Sequence, residues 1–323
     1  KEDMFLTGEN RYTAHQSNFS IIPGSPVAYW ISKSAIKSFV EFKPLENYGQ
    51  GRIGLITGDT ARFIRLWHEV SLASIGFGIK NNDESILSKK KWFPIQNGGD
   101  FRRWYGNIDS VVDWENDGYR MKFDNYMGKR VRSHNYNGEF AFHRAISWTT
   151  ISSGNFACRY ADNGFIFDTA GPFFISNRDE NIFAILAFLQ SKIASFYLRL
   201  LNPTINYPPG YVQALPYSDV CNKREISTIG ESSIEISRTD WDSFETSWDF
   251  ETHPMIRWSK EMWDVTAIGA AMQNYYGCHP QVNSPLELCY LLWKGEANQQ
   301  FRELKANEEE LNRIFIDIYG LQD

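Results

Sequence analysis

The chain has 323 residues, a formal net charge of −6, and 42% hydrophobic and 15% aromatic content. That length can bury one large core or two moderate ones, and 23 Phe, 16 Tyr and 11 Trp argue against disorder over most of it. No apolar run reaches the roughly 20 residues needed to span a bilayer, and the four cysteines are scattered with no CxxC pair, which supports neither a zinc ribbon nor a disulfide scaffold and predicts a reduced, cytoplasmic protein.

In chain order, residues 1–18 are polar and read as the end of a preceding segment. Residues 21–43 give a Pro/Gly turn, an apolar-aromatic patch and a short helix through Ile36 and Val40, followed by a linker carrying Pro44 and Gly49. Residues 51–70, GRIGLITGDTARFIRLWHEV, predict a strand, a glycine turn and a helix capped by Thr57 or Asp59. Phe63, Leu66, Trp67 and Val70 would line one face of that helix. Arg62 and Arg65 would lie off it, near the first turns, where free N–H groups favour an anion.

From residue 90 the texture becomes short aromatic segments broken by glycines. SVVDWENDGYRMKF predicts a hairpin about Asn116–Asp117–Gly118, and residues 145–150, 156–160 and 165–168 predict further strands. Residues 181–201 predict one long helix, capped by Asn177 or Asp179 and ended at Asn202–Pro203. NPTINYPPGYVQALPY, at 202–217, predicts an ordered strap; residues 255–273 and 296–318 predict two more helices.

Charge is unevenly spread. Residues 89–144 carry 11 Lys and Arg against 7 Asp and Glu, whereas residues 225–323 carry 7 against 18. A nucleic-acid face on one lobe is compatible with that pattern. Neither GxGxxG nor GxxxxGK[ST] is present, and the histidines have no metal-ligand spacing. Asp113 and Glu115 could share a strand face, the arrangement of paired acid and base carboxylates, but a polar hairpin rim is the favoured account. More informative are Gly98, Gly99, Arg102, Arg103 and Trp104, with Lys129, Arg130, Arg132 and Arg144 further on, and Ser152, Gly154, Asn155 and Arg159 in a second cluster. Glycines permit close backbone approach, arginine forks suit phosphates or guanine edges, and Asn or Gln can pair with adenine.

Several blocks occur in order along the chain: TGDTARFIRLWHEV, KKWFPIQNGGDFRRWYGN with VVDWENDG, SWTTISSG with FDTAGP, LNPTINYPPGYVQALP, TDWDSFETSWDFETHP and LNRIFIDIYGLQD. Together they resemble the C-terminal portion of the adenine-specific DNA methyltransferases of bacteriophage-exclusion (BREX) systems, the PglX family. The resemblance implies a parent enzyme that transfers a methyl group from S-adenosylmethionine to N6 of an adenine in a defined duplex sequence, with the adenine turned out into a catalytic pocket. The family's catalytic N/D-P-P-Y/F motif and its glycine-rich cofactor motif have no counterpart here; Asn206–Gly210 (NYPPG) and Asn202–Ile205 (NPTI) are not that motif. The chain is therefore expected to begin downstream of the catalytic domain and to be inactive alone, with no cofactor of its own.

The fold so implied is α+β: a linker or helical remnant at 1–44, a β-rich target recognition domain with supporting helices at 45–220, and a mainly α-helical, acidic region at 221–323. The expected partner is double-stranded DNA, with other BREX components or a phage DNA-mimic inhibitor as the competing protein-interaction reading, and no membrane. Asn97, Arg102, Arg103, Asn155 and Arg159 are the candidates for base contacts. Arg62, Arg65, Lys89, Lys90, Lys91, Arg130 and Arg132 are the candidates for phosphates.

Overall fold

The computed structural model describes residues 4, 6–9, 13, 15–123, 131–152, 154–278 and 280–322. It is half helix and 14% strand, an α+β protein with a helical C-terminal stretch. The strands among the described residues are β1 (Lys43–Pro44), β2 (Gly49–Arg52), β3 (Ile64–Leu66), β4 (Trp92–Gln96), β5 (Ser110–Asp113), β6 (Ala145–Trp148), β7 (Cys158–Ala161), β8 (Ile166–Phe167), β9 (Phe173–Ser176) and β10 (Pro216–Tyr217).

One sheet has the order β2-β9-β6-β7, antiparallel throughout. Every residue of β6 and β7 is buried, so these strands are covered on both faces and lose the alternation of a half-solvated sheet. The second sheet has the order β3-β5-β4-β8, with β4 and β8 parallel. Phe167 of β8 stacks on Phe173 of β9, with ring centroids 4.2 Å apart, and joins the two sheets. The strap 202–217 is ordered: it contains the helix Pro209–Gln213 and ends in β10, which pairs with β1.

Several predicted elements change form. Asp59 does cap a helix, its Oδ1 accepting from Arg62 N–H at 3.2 Å, but that helix is the single turn Thr60–Phe63. The chain then extends as β3, because the edge of β5 pairs Ile64 with Val112 and Leu66 with Ser110. The Asn116–Asp117–Gly118 turn has three consecutive positive φ values of 50°, 58° and 66°, and helix follows it instead of a returning strand. With β3 and β4 on its two edges, β5 has no place left for a hairpin partner.

The helix expected at 181–201 is two, Ile182–Leu189 and Lys192–Leu201, bent by 74°. Ser191 starts the second, its Oγ accepting from Ala194 N–H at 3.1 Å. The region expected at 255–273 likewise divides into Pro254–Glu261 and Val265–Tyr276. Conversely, the last helix is longer than its apolar stripe suggests and runs Pro285–Tyr319, 35 residues. Helix Arg224–Asp242 lies in the region expected to be mainly helical; its buried residues include Ser233, Ser237 and Gly230 beside Ile226 and Ile234, a composition that hides its packed face from a hydrophobicity count.

The main core draws side chains from Ile22 through Ala145, Leu186 and Tyr217 to Phe315 and Tyr319. It crosses both boundaries proposed from sequence, at 44/45 and 220/221. A separate cluster of Trp258, Met272, Cys289 and Leu292 lies within the C-terminal helices. No single helix among the described residues is long and apolar enough to cross a membrane.

Candidate nucleic-acid interface

The blocks of sequence singled out above meet in space. After β4, the turn through Gly98 and Gly99 has φ values of 86° and 110°, where glycine alone is unstrained. A Cβ on Gly98 would stand 2.7 Å from the Ala170 carbonyl oxygen, so the turn closes directly on the segment after β8. Thr149 Oγ1 donates to the Gly99 carbonyl at 2.9 Å and Thr150 Oγ1 to the Thr169 carbonyl at 2.7 Å. Main-chain N–H groups of Thr150, Thr169, Tyr207 and Ser152 donate to the carbonyls of Ala170, Leu55, Thr150 and Ile205 respectively. Stretches around Leu55, Gly98, Thr150, Thr169 and Tyr207 thus form one loop cluster where β4 and β8 finish.

Asp168 ties this cluster internally. Its Oδ1 accepts from the Ala170 N–H at 2.6 Å and from the Thr169 hydroxyl at 3.3 Å. Burial raises its pKa above the ordinary 3.8, against the opposing pull of those two donors.

The five base candidates lie in and beside this cluster, but their side chains are spent differently. Asn97 is half-buried, and its carboxamide has no hydrogen bond among the described residues. Asn155 is exposed and its Oδ1 accepts from Arg199. Arg159, on β7, is 1% exposed, and points at the carbonyls of Arg102 and Gly98 at 3.5 and 3.4 Å. Burial pushes its pKa down to about 10, and Arg102 adds in the same direction. Arg102 donates to the Tyr105 carbonyl at 2.9 Å and to Asp240 at 2.8 Å, over the Trp241 ring. Arg103 donates to Gln190 Oε1, to the Gln190 carbonyl and, at 2.7 Å, to Glu308. The three arginines therefore fasten the loop to β7, to helix Arg224–Asp242 and to the long terminal helix.

The phosphate candidates lie elsewhere. β3 and β4 both run antiparallel to β5, so Arg62, just before β3, and Lys89, Lys90 and Lys91, just before β4, share the end of the second sheet opposite Asn97. Five residues of β4 separate the two ends, about 17 Å at the strand rise. Lys89 is exposed and ends helix Asn82–Ser88 in the left-handed conformation. Lys90 donates to the Ala73 carbonyl, and Lys91 lies 3.8 Å from Asp113, which also binds Arg120 at 2.8 Å. The Arg62 guanidinium sits 5.0 Å from the Phe63 ring centroid. Arg65 donates to the Ala61 and Ile64 carbonyls, and Arg132 is exposed beside Gly58. Arg130, with Lys129, falls outside the described residues.

A cleft of about 660 Å³ opens next to the loop cluster, lined by Phe101, Arg103 and Asn155 together with Trp30, Lys192, Phe196 and Arg199. These last four were not among the sequence candidates. A signal was present in the spacing: Lys192, Ser195, Phe196 and Arg199 fall at i, i+3, i+4 and i+7, a non-core strip on an otherwise buried helix. Among the described residues no group of three or more His, Cys, Asp or Glu side chains could hold a metal ion.

No family model matches the chain. Over its whole length it is 40% identical to the adenine-specific methyltransferase PglX of Lacticaseibacillus casei (strain Zhang), of which it spans 26%. Over 75% of its length it is 35% identical to the adenine-specific methyltransferase BrxX of Escherichia coli O9:H4 (strain HS), of which the match spans 19%. The chain thus corresponds to about a quarter or less of these curated relatives. On 40% identity over its whole length, the chain belongs to the PglX family of adenine-specific methyltransferases, as a region of such a protein.

Proposed function

We propose that this chain supplies sequence-specific duplex DNA recognition for an S-adenosylmethionine-dependent N6-adenine methyltransferase of a bacteriophage-exclusion system. The observation that carries the reading is the loop cluster: five stretches distant in sequence, locked by main-chain and threonine hydrogen bonds, standing on two sheets. Loops held by a rigid scaffold are where binding residues concentrate. Asn97 and Asn155 offer carboxamides suited to base edges. Arg102, Arg103 and Arg159 hold the loop in shape, and their effect on specificity runs through that shape. Lys89, Arg62, Arg65 and Arg132 are the phosphate contacts that set register. The separation of about 17 Å between the loop and the Lys89 end corresponds to about five base-pair steps at 3.4 Å each.

Methyl transfer belongs in this proposal to the longer enzyme. The glycine turns at Gly98, Gly99 and Gly106 pack closely against Ala170, Asn107, Arg102 and Trp241.

The test is selection of this chain's ligands from a pool of randomised duplex DNA at moderate salt. Enrichment of a motif with a fixed adenine supports the reading; duplex binding without enrichment removes the specificity, and no duplex binding removes the reading.

A second reading, docking of another defence component, is favoured by exposed apolar side chains. Trp263, Val265 and Leu286, in the acidic C-terminal region, are 92%, 79% and 70% exposed. A Trp263→Ser variant that binds DNA normally but loses association with other components of the defence system would support it.

A further inference from the structure

The cleft beside the loop cluster has a chemistry the duplex reading does not use. Trp30, Phe101 and Phe196 line it and are 55%, 57% and 40% exposed. They come from three separate stretches: the segment before helix Lys33–Glu41, the glycine loop, and helix Lys192–Leu201. Exposed rings gathered at one cleft cost hydration that a flat apolar ligand would recover.

The same cleft is cationic in an acidic chain. Of its charged lining residues, Arg103 is paired with Glu308 at 2.7 Å. Lys192 has no ion pair among the described residues, and Arg199 donates to the neutral carboxamide of Asn155. Two positive charges are therefore left uncompensated. The volume, about 660 Å³, falls within the usual range of small-ligand sites.

Rings that accept a π-face beside cations that accept an anion are the combination by which proteins hold single-stranded nucleic acid. We propose that this cleft binds one unstacked nucleotide, its base against Trp30, Phe101 or Phe196 and its phosphate on Lys192 and Arg199. The source is a nucleotide turned out of a DNA strand or a free nucleotide; the first rests on the duplex reading above, and the second does not.

The experiment uses the full chain. Affinity is measured for a duplex and for the same duplex carrying one unpaired nucleotide, and deoxyadenosine monophosphate is titrated separately, read by the tryptophan fluorescence difference between the native chain and Trp30→Phe. About tenfold tighter binding of the unpaired-nucleotide duplex is expected. Lys192→Ala and Arg199→Ala should each abolish that preference while keeping the native denaturation midpoint, and Trp30→Phe should keep more of it than Trp30→Ala. Saturable quenching by the mononucleotide, without a duplex preference, assigns the cleft to a free nucleotide. Equal affinity for both duplexes and no mononucleotide quenching overturn the inference and leave the duplex reading standing. Loss of all duplex binding with mononucleotide quenching retained overturns the duplex reading alone.

Discussion

Arg103 and Glu308 meet at 2.7 Å across 205 residues of sequence, and Glu308 also accepts the Trp104 indole N–H at 2.8 Å. The glycine loop and the long terminal helix are fastened to each other by one carboxylate. Arg103 further donates to the carbonyl and side chain of Gln190, where the bend between two helices frees main-chain groups. Arg103→Ala should lower stability by about 2 kcal/mol, seen in urea denaturation. Arg103→Lys should recover little of it, since an ammonium cannot reproduce the planar fork. A fully stable Arg103→Ala chain with altered sequence preference would show instead that the guanidinium reads a base.

Arg159 gives a sharper case. Its side chain is buried against two carbonyls, and Nε has no partner among the described residues. Arg159→Met should cost about 2 kcal/mol by leaving those carbonyls unpaired and should disturb DNA binding only in proportion to the unfolded fraction. Thermal unfolding monitored beside a DNA titration separates the two effects.

For Asp168 the expectation is a pH dependence. Its folded pKa is raised above the ordinary 3.8, so the folded state binds the proton more tightly than the unfolded chain. The linked stability is present in full below about 3.8 and is lost as pH rises through the folded value. Asp168→Asn keeps an oxygen for the Ala170 N–H without the buried charge. Its denaturation midpoint should match or exceed the native one at pH 7, with the advantage disappearing in acid. An unchanged difference from pH 3 to pH 7 would contradict this.

Gly98→Ala tests whether the loop cluster needs its close approach. A positive φ costs an L-residue about 1–2 kcal/mol, and the new methyl would meet the Ala170 carbonyl at 2.7 Å. Lower stability and weaker cognate binding should appear together, measured by calorimetry and by DNA titration on one preparation.

Lys89 and Arg132 are exposed, and their loss should leave folding intact. If they hold phosphates, each alanine variant weakens cognate and unrelated duplexes alike and lowers the slope of log affinity against log salt by about 1. Unchanged slopes would remove them from the interface.

The sequence was most readable where a short local signal sufficed. The Asp59 cap, strands β6 and β8, and the strap ending at Tyr217 follow from residues within one or two turns of each other. It was least readable where a distant partner decided the outcome. Ile64–Leu66 is helical by spacing but extended in the structure because β5 offers an edge. Residues 182–189 are apolar throughout, so their periodicity does not mark the bend, which falls at the polar run Gln190–Ser191–Lys192 and is stabilised by Ser191 and Arg103. Arg102, Arg103 and Arg159 were identified by type and loop context; which carbonyl or carboxylate each would meet depends on residues up to 205 positions away. The cleft was hidden because its rings belong to separate stretches, each reading as ordinary core.

Helix Pro285–Tyr319 is continuous over 35 residues, about 52 Å at 1.5 Å per residue. Its C-terminal half is set in the main core through Leu311, Phe315 and Tyr319, while Cys289 and Leu292 near its start belong to the separate cluster with Trp258 and Met272. One unbroken helix therefore spans both hydrophobic clusters, and Glu308, the carboxylate that holds the glycine loop, sits in the half set in the main core.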